Sequence, residues 1–177
     1  SESLPDDSIV VSDTGHTAMW TVQNLWINKK WEFIRCAGSL GWGFPAAMGA
    51  KCAFPEKNVF CLTGDGGLWY HFTELETAIR SDIPTITIVN NNNALNQEYD
   101  IFMNAYDGKP SDRWTEMWYF NKVSFAELAN NMGPVFNIED IMNNIHAQAR
   151  EMIINISDNG KNLNTEKVQK LIKPSGA

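Results

Sequence analysis

Apolar runs along this 177-residue chain alternate with mixed stretches, and the runs stop at small or polar residues. Ile9-Val10-Val11 is a short β-branched run followed by Asp13, Thr14 and Gly15, residue types that turn a chain. Residues 16–25 (HTAMWTVQNL) then read as a helix with Met19, Trp20 and Val22 partly inward. After Phe33-Ile34, the segment GSLGWGFPAAMGAKCAF is glycine-rich first and alanine-rich later. That order predicts a tight loop feeding a closely packed helix over about 45–53. Residues 58–62 (NVFCL) form a continuous apolar run, as a strand buried on both faces requires, and it ends in Thr63-Gly64-Asp65-Gly66-Gly67. Phe72, Leu75 and Ile79 recur at helical spacing before Pro84, and residues 85–89 (TITIV) make a second buried-strand candidate that stops at four asparagines.

Strands alternating with helices predict βαβ units, and so an α/β fold of three layers (αβα) around a mainly parallel sheet. In such sheets ligands bind beyond the carboxyl ends of the strands, near a topological switch point. Gly64 to Gly67 and Asn90 to Asn93 each follow a strand candidate and so belong on one rim, within reach of one ligand. Beyond Asn93 the pattern weakens: residues 95–122 mix Tyr99, Phe102, Tyr106, Trp114, Trp118, Tyr119 and Phe120 with loop residues. A short helix over 125–132, a longer one over 138–151, a last strand over 152–156 and a polar helical tail over 161–170 complete the reading. There is no internal repeat, and the whole chain, 1–177, reads as one domain.

Composition narrows the class further. Hydrophobic residues are 44% and charged residues 20%, which removes disordered and low-complexity classes. The net charge of -7 without a Lys/Arg cluster lacks the footprint of a nucleic-acid binder. No apolar run reaches the 18 or so residues that span a membrane. Cys36, Cys52 and Cys61 are an odd set without a CxxC pair, which predicts reduced, packed thiols in a cytoplasmic protein.

Asp65 carries the first chemical signal. Glycines around it let backbone amides approach an anion, yet a carboxylate in their midst would repel a bare phosphate. A hard cation such as Mg²⁺ between the two resolves the conflict; an ordinary Asp-Gly turn is the alternative. Asn92 follows Asp65 by 27 residues, about what one helix and one return strand need to bring a side-chain carbonyl back beside the carboxylate. Asn130-Asn131 and Asn143-Asn144 have no preceding strand.

GDG, then some two dozen residues ending in NN, resembles the signature of thiamin-diphosphate-dependent enzymes. GSLGWGFPAAMGA resembles the family's glycine-rich segment, and SDTGHTAMW its first phosphate-contacting loop. GDGGLWYHFTELETAIR with IVNNNNALNQE is most similar to the acetolactate-synthase-like group. The resemblance covers 8–132, corresponds to the C-terminal, diphosphate-binding domain, and leaves 133–177 divergent. It implies Mg²⁺ held by the Asp65 and Asn92 side chains and the Ala94 carbonyl. It implies diphosphate contacts from Gly15, His16 and Thr17 and from Gly64, Gly66 and Gly67. The segment Gly38-Ser39-Leu40 would meet the rest of the cofactor: the Gly38 carbonyl accepts from the aminopyrimidine, and Leu40 props the bent cofactor.

The resemblance further implies a 2-oxo acid decarboxylase or carboligase with pyruvate as donor, in a homo-oligomer. Such enzymes take their activating Glu from a separate pyrimidine-binding domain, and no residue here matches that motif, so the chain by itself should be inactive. A subunit of a split decarboxylase and a non-catalytic assembly domain are the other readings. FAD, which some relatives hold on a middle domain, is left without an assignment. His16 is open as a general base or a phosphate-loop residue, while His71 reads as a capping or packing residue at a helix start. The aromatics of 99–120 are open as a lid or substrate channel, or as a surface for a partner domain.

Overall fold

The computed structural model describes residues 4–25, 31–109 and 111–132, and the backbone of 152–157. Among the described residues five parallel strands form one sheet: β1 (Ile9–Ser12), β2 (Glu32–Arg35), β3 (Val59–Gly64), β4 (Ile86–Asn91) and β5 (Met152–Ser157), in the order β2-β1-β3-β4-β5. The chain leaves β1 toward β2 on one side and returns to β3 on the other, so the switch point lies between β1 and β3. Register sets Ser12 beside Leu62, and Gly64 beside Asn90.

The two-residue period of a strand sends alternate side chains to opposite faces, and both faces are covered. Ile9, Val11, Val59, Cys61 and Val89 pack against Phe44, Ala47 and Met48 of α2 (Gly43–Ala53), Leu68 of α3 (Asp65–Tyr70), Leu75 and Ala78 of α4 (Glu74–Arg80), and Phe125 and Ala129 of the helix Phe125–Met132. Val10 and Phe60 face the other way, onto Trp31, with Leu4, Leu25 and Phe33 around them. This is the predicted three-layer α/β architecture. Burial pushes the Cys61 thiol far above its ordinary range, and the Asp13 charge adds to that.

Several elements depart from their sequence reading. In α1 (His16–Asn24), Ala18 is the buried residue, while Met19, Trp20 and Val22 are 45%, 50% and 43% exposed. The inward face runs through Ala18, Thr21 and Leu25 because a small residue lets the first turn approach β3 closely. The helix after Asp65 is two helices: His71 to Thr73 form turns joining α3 to α4, and Phe72 packs on the core from that turn. His71 therefore ends α3, its N–H donating to the Leu68 carbonyl, rather than starting a helix. β4 is buried on one face and half-buried on the other. Cys52 is exposed on α2, against the expectation of three packed thiols; only Cys61 is fully buried among them. β5 pairs in register with β4 as the last-strand reading requires, whereas the helix over 138–151 and the tail over 161–170 lie outside the described residues. Among the described residues no helix is long and apolar enough to cross a membrane.

Candidate functional site

The strand ends make a cleft at the switch point. Its lining comes from Thr14 to Thr17 after β1, Gly64 to Gly67 at the β3–α3 junction, Asn90 near the end of β4, Asn92 and Ala94 just after it, and Leu40 from the loop before α2. All three sequence clusters thus meet on one rim. Gly38 and Ser39 are exposed in the adjoining turn and do not line the cleft.

Asp65 is 3% exposed at the floor of the cleft. Its Oδ1 accepts the Gly66 N–H at 2.9 Å, and its Oδ2 accepts the Ala94 N–H at 3.0 Å. The same Ala94 N–H points at Asn92 Oδ1, 3.2 Å away, so the carboxylate and the amide oxygen lie side by side. Burial raises the Asp65 pKa above the ordinary carboxylate range, and the backbone N–H bonds oppose that only in part. A carboxylate that burial disfavours as an anion is one a cation would stabilise.

The four asparagines divide their tasks. Asn91 is buried: its side chain donates to the Val123 carbonyl at 2.9 Å and accepts from the Asn93 N–H at 3.2 Å. Asn93 has φ 57°, a left-handed conformation that Asn tolerates. Together they turn the chain so that Asn92 reaches Asp65. Asn90 reaches across to α1, its side chain 3.4 Å from Thr17 Oγ1.

The glycines also have packing reasons to lack a side chain. A Cβ on Gly66 would meet Leu95 Cδ2 at 2.5 Å, and one on Gly67 would collide with the Asp13 carboxylate and with Thr63 Oγ1. The Gly66 N–H is already engaged by Asp65. A Cβ at either position would thus meet protein atoms, while the backbone of both glycines lines the cleft. His16 lines the cleft and stacks on Trp20 with ring centroids 5.7 Å apart.

Residues the sequence reading passed over include Leu95 and Gln97, both in the lining, and Asp13 directly below it. An acid directly after the strand formed by the β-branched run was the available signal for Asp13. The aromatics of 99–118 form a ring cluster of Tyr99, Trp114 and Trp118. The excursion is closed at its neck by the Ala94–Tyr119 bridge, with Leu95 N–H donating to the Trp118 carbonyl at 2.8 Å.

An anion entering this cleft would face two carboxylates, Asp65 and Glu98, and no lysine or arginine among its described lining residues. The Asp65 and Asn92 oxygens are donors that a hard divalent cation takes, and such a cation would offset the charge of an anionic ligand. Comparison with known proteins agrees with a phosphorylated cofactor. Residues 13–162 match the family model described as thiamine pyrophosphate enzyme, C-terminal TPP binding domain, and the chain belongs to that family.

Within it the chain is acetolactate-synthase-like. It is 36% identical over 129 residues to the acetolactate synthase large subunit of Haemophilus influenzae, covering 71% of this chain and 22% of that protein. It is 33% identical over 134 residues to a probable acetolactate synthase large subunit of Methanocaldococcus jannaschii (75% and 22%), and 28% over 151 residues to isozyme 1 of Escherichia coli (79% and 26%). The chain thus spans about a quarter of the length of these relatives. The solved structure of a thiamine diphosphate-dependent 4-hydroxybenzoylformate decarboxylase of Rhodococcus jostii superposes with a TM-score of 0.68 at 24% identity, covering 88% of this chain and 30% of that one, which establishes the shared fold.

Proposed function

We propose that this domain holds thiamin diphosphate through Mg²⁺ and serves a 2-oxo acid decarboxylase or carboligase of the acetolactate-synthase type, with pyruvate as donor. The observation that carries the reading is the pairing of Asp65 and Asn92 oxygens in a cleft that lacks lysine and arginine among its described residues. Asp65, Asn92 and the Ala94 carbonyl would hold the metal. The Gly15-His16-Thr17 loop and the Gly64–Gly67 turn would hold the diphosphate. Gly38, Ser39 and Leu40 would meet the aminopyrimidine end, Leu40 as an apolar ledge that loses little on desolvation. Bound thiamin diphosphate supplies the electron sink that lets a 2-oxo acid lose CO₂. The residues of this chain would hold the metal that offsets its charge and would orient it in the cleft.

The activating Glu would come from a pyrimidine-binding domain, in the same polypeptide or another, within a cytoplasmic homo-oligomer. Half-exposed Trp20 and Met19 on α1, beside the cleft, support a covered surface there. Titration calorimetry on the protein assembled with that domain tests the reading. Thiamin diphosphate should bind with Mg²⁺ and fail to bind in a chelator, and Asp65→Ala should abolish binding. Cofactor binding of undiminished strength in Asp65→Ala would refute the site. Purified 177-residue chain supplied with cofactor, Mg²⁺ and pyruvate should release no CO₂.

A further inference from the structure

Beneath the cleft, and outside its lining, Asp13 is 1% exposed at the end of β1. Its Oδ1 accepts the Thr14 N–H at 2.7 Å and the Gly41 N–H at 3.0 Å, and its Oδ2 accepts the Thr63 hydroxyl at 2.9 Å. Its own N–H donates to the Leu62 carbonyl at 2.9 Å. Two glycines are packed onto it: a Cβ on Gly43 would lie 2.7 Å from Asp13 Cβ, and one on Gly67 would strike the carboxylate. One side chain thus ties together three segments that lie 28 and 50 residues away from it or adjoin it in sequence. Each segment continues directly into the cleft: Thr14 into Gly15 to Thr17, Gly41 from Leu40, and Thr63 into Gly64 to Gly67.

The three donors are two backbone amides and a hydroxyl, all neutral. A buried carboxylate held by neutral donors adds no attraction for a diphosphate; its own charge opposes one. What it contributes is geometry, since a carboxylate accepts several hydrogen bonds from different directions at once. We infer that Asp13 is a positioning residue for the cofactor site, setting Leu40 on one side of the cleft against the Gly15–Thr17 and Gly64–Gly67 segments on the others. The inference rests on the thiamin diphosphate reading above.

The chemistry of the donors makes a rescue experiment decisive. Asparagine keeps one oxygen to accept the Thr14 and Gly41 N–H groups, and its amide can donate to Thr63, because a hydroxyl also accepts. Alanine loses all three bonds. In the assembled protein, Asp13→Ala should raise the dissociation constant of thiamin diphosphate with Mg²⁺ by on the order of tenfold or more, while Asp13→Asn should stay within about threefold of the unaltered protein. Amide exchange at Gly41, followed by NMR without cofactor, should accelerate in Asp13→Ala and remain slow in Asp13→Asn. Unchanged affinity in folded Asp13→Ala would overturn the inference. Equal loss in both variants would overturn it too, because restoring the hydrogen bonds would then not restore the site. If Asp13→Ala does not fold, Thr63→Val removes one donor at similar shape, and unchanged affinity there refutes positioning. Failure of the unaltered protein to bind the cofactor with Mg²⁺ would instead refute the functional reading itself.

Discussion

Replacing Gly41 with alanine tests whether the loop carrying Leu40 is held by packing. Gly41 has φ 90°, where side-chain-bearing residues are strained. An added Cβ would lie 2.6 Å from Tyr70 Cβ, 3.1 Å from the Gly67 carbonyl oxygen and 3.2 Å from His71 Cδ2. Tyr70 Cβ and a carbonyl on α3 are not the free ends of flexible side chains, so they cannot swing aside. The backbone strain costs about 1–3 kcal/mol and the overpacking a further 1–3 kcal/mol or so. Together these predict a loss of about 2–6 kcal/mol, or roughly 4–24 °C in melting temperature for a chain of this size. Gly49 is the internal control: it is exposed in the middle of α2, and a Cβ there meets nothing within 4 Å. Gly49→Ala should stabilise by about 0.5–1 kcal/mol, the usual helix-interior difference. Urea unfolding followed by circular dichroism, without cofactor and at matched concentration, measures both. A Gly41→Ala variant within about 0.5 kcal/mol of the unaltered chain, the range of ordinary surface changes, would refute the packing argument.

Two further outcomes follow from the site. Burial raises the Asp65 pKa above its unfolded value, so the metal-free folded chain binds the extra proton, and its stability falls as pH rises from about 4 through the raised value. With a chelator present, the stability advantage of Asp65→Asn over the unaltered chain should therefore grow across that window, and a pH-independent difference in urea midpoints would contradict the assignment. Leu40 is only half-buried, so Leu40→Ala should cost less than the 2–5 kcal/mol or so of a fully buried leucine. In the assembled protein it should leave cofactor affinity nearly intact while slowing exchange of the thiazolium C2 proton by NMR; unchanged exchange would remove the ledge role.

The meeting of Asp65 with Asn92 was legible in the chain because it is encoded locally. Buried runs at β3 and β4 each end in polar residues, and parallel strands joined through helices bring successive strand ends to the same rim. The family resemblance depends on the same short segments. Other features required the folded chain. Asp13 reads as a turn residue in sequence, because its partners Gly41 and Thr63 are 28 and 50 residues away. Gly66 and Gly67 read as room for a ligand; that a Cβ on either would also meet Leu95 or Asp13 from other elements shows only in the fold. In α1, nine residues are too few for apolar spacing to choose a face, and contact with β3 turned Ala18 inward and left Met19, Trp20 and Val22 outside. A strand's periodicity and the polar residues at its end are properties of neighbours along the chain; which distant atom fills a given space depends on how the elements pack, and no local pattern carries that.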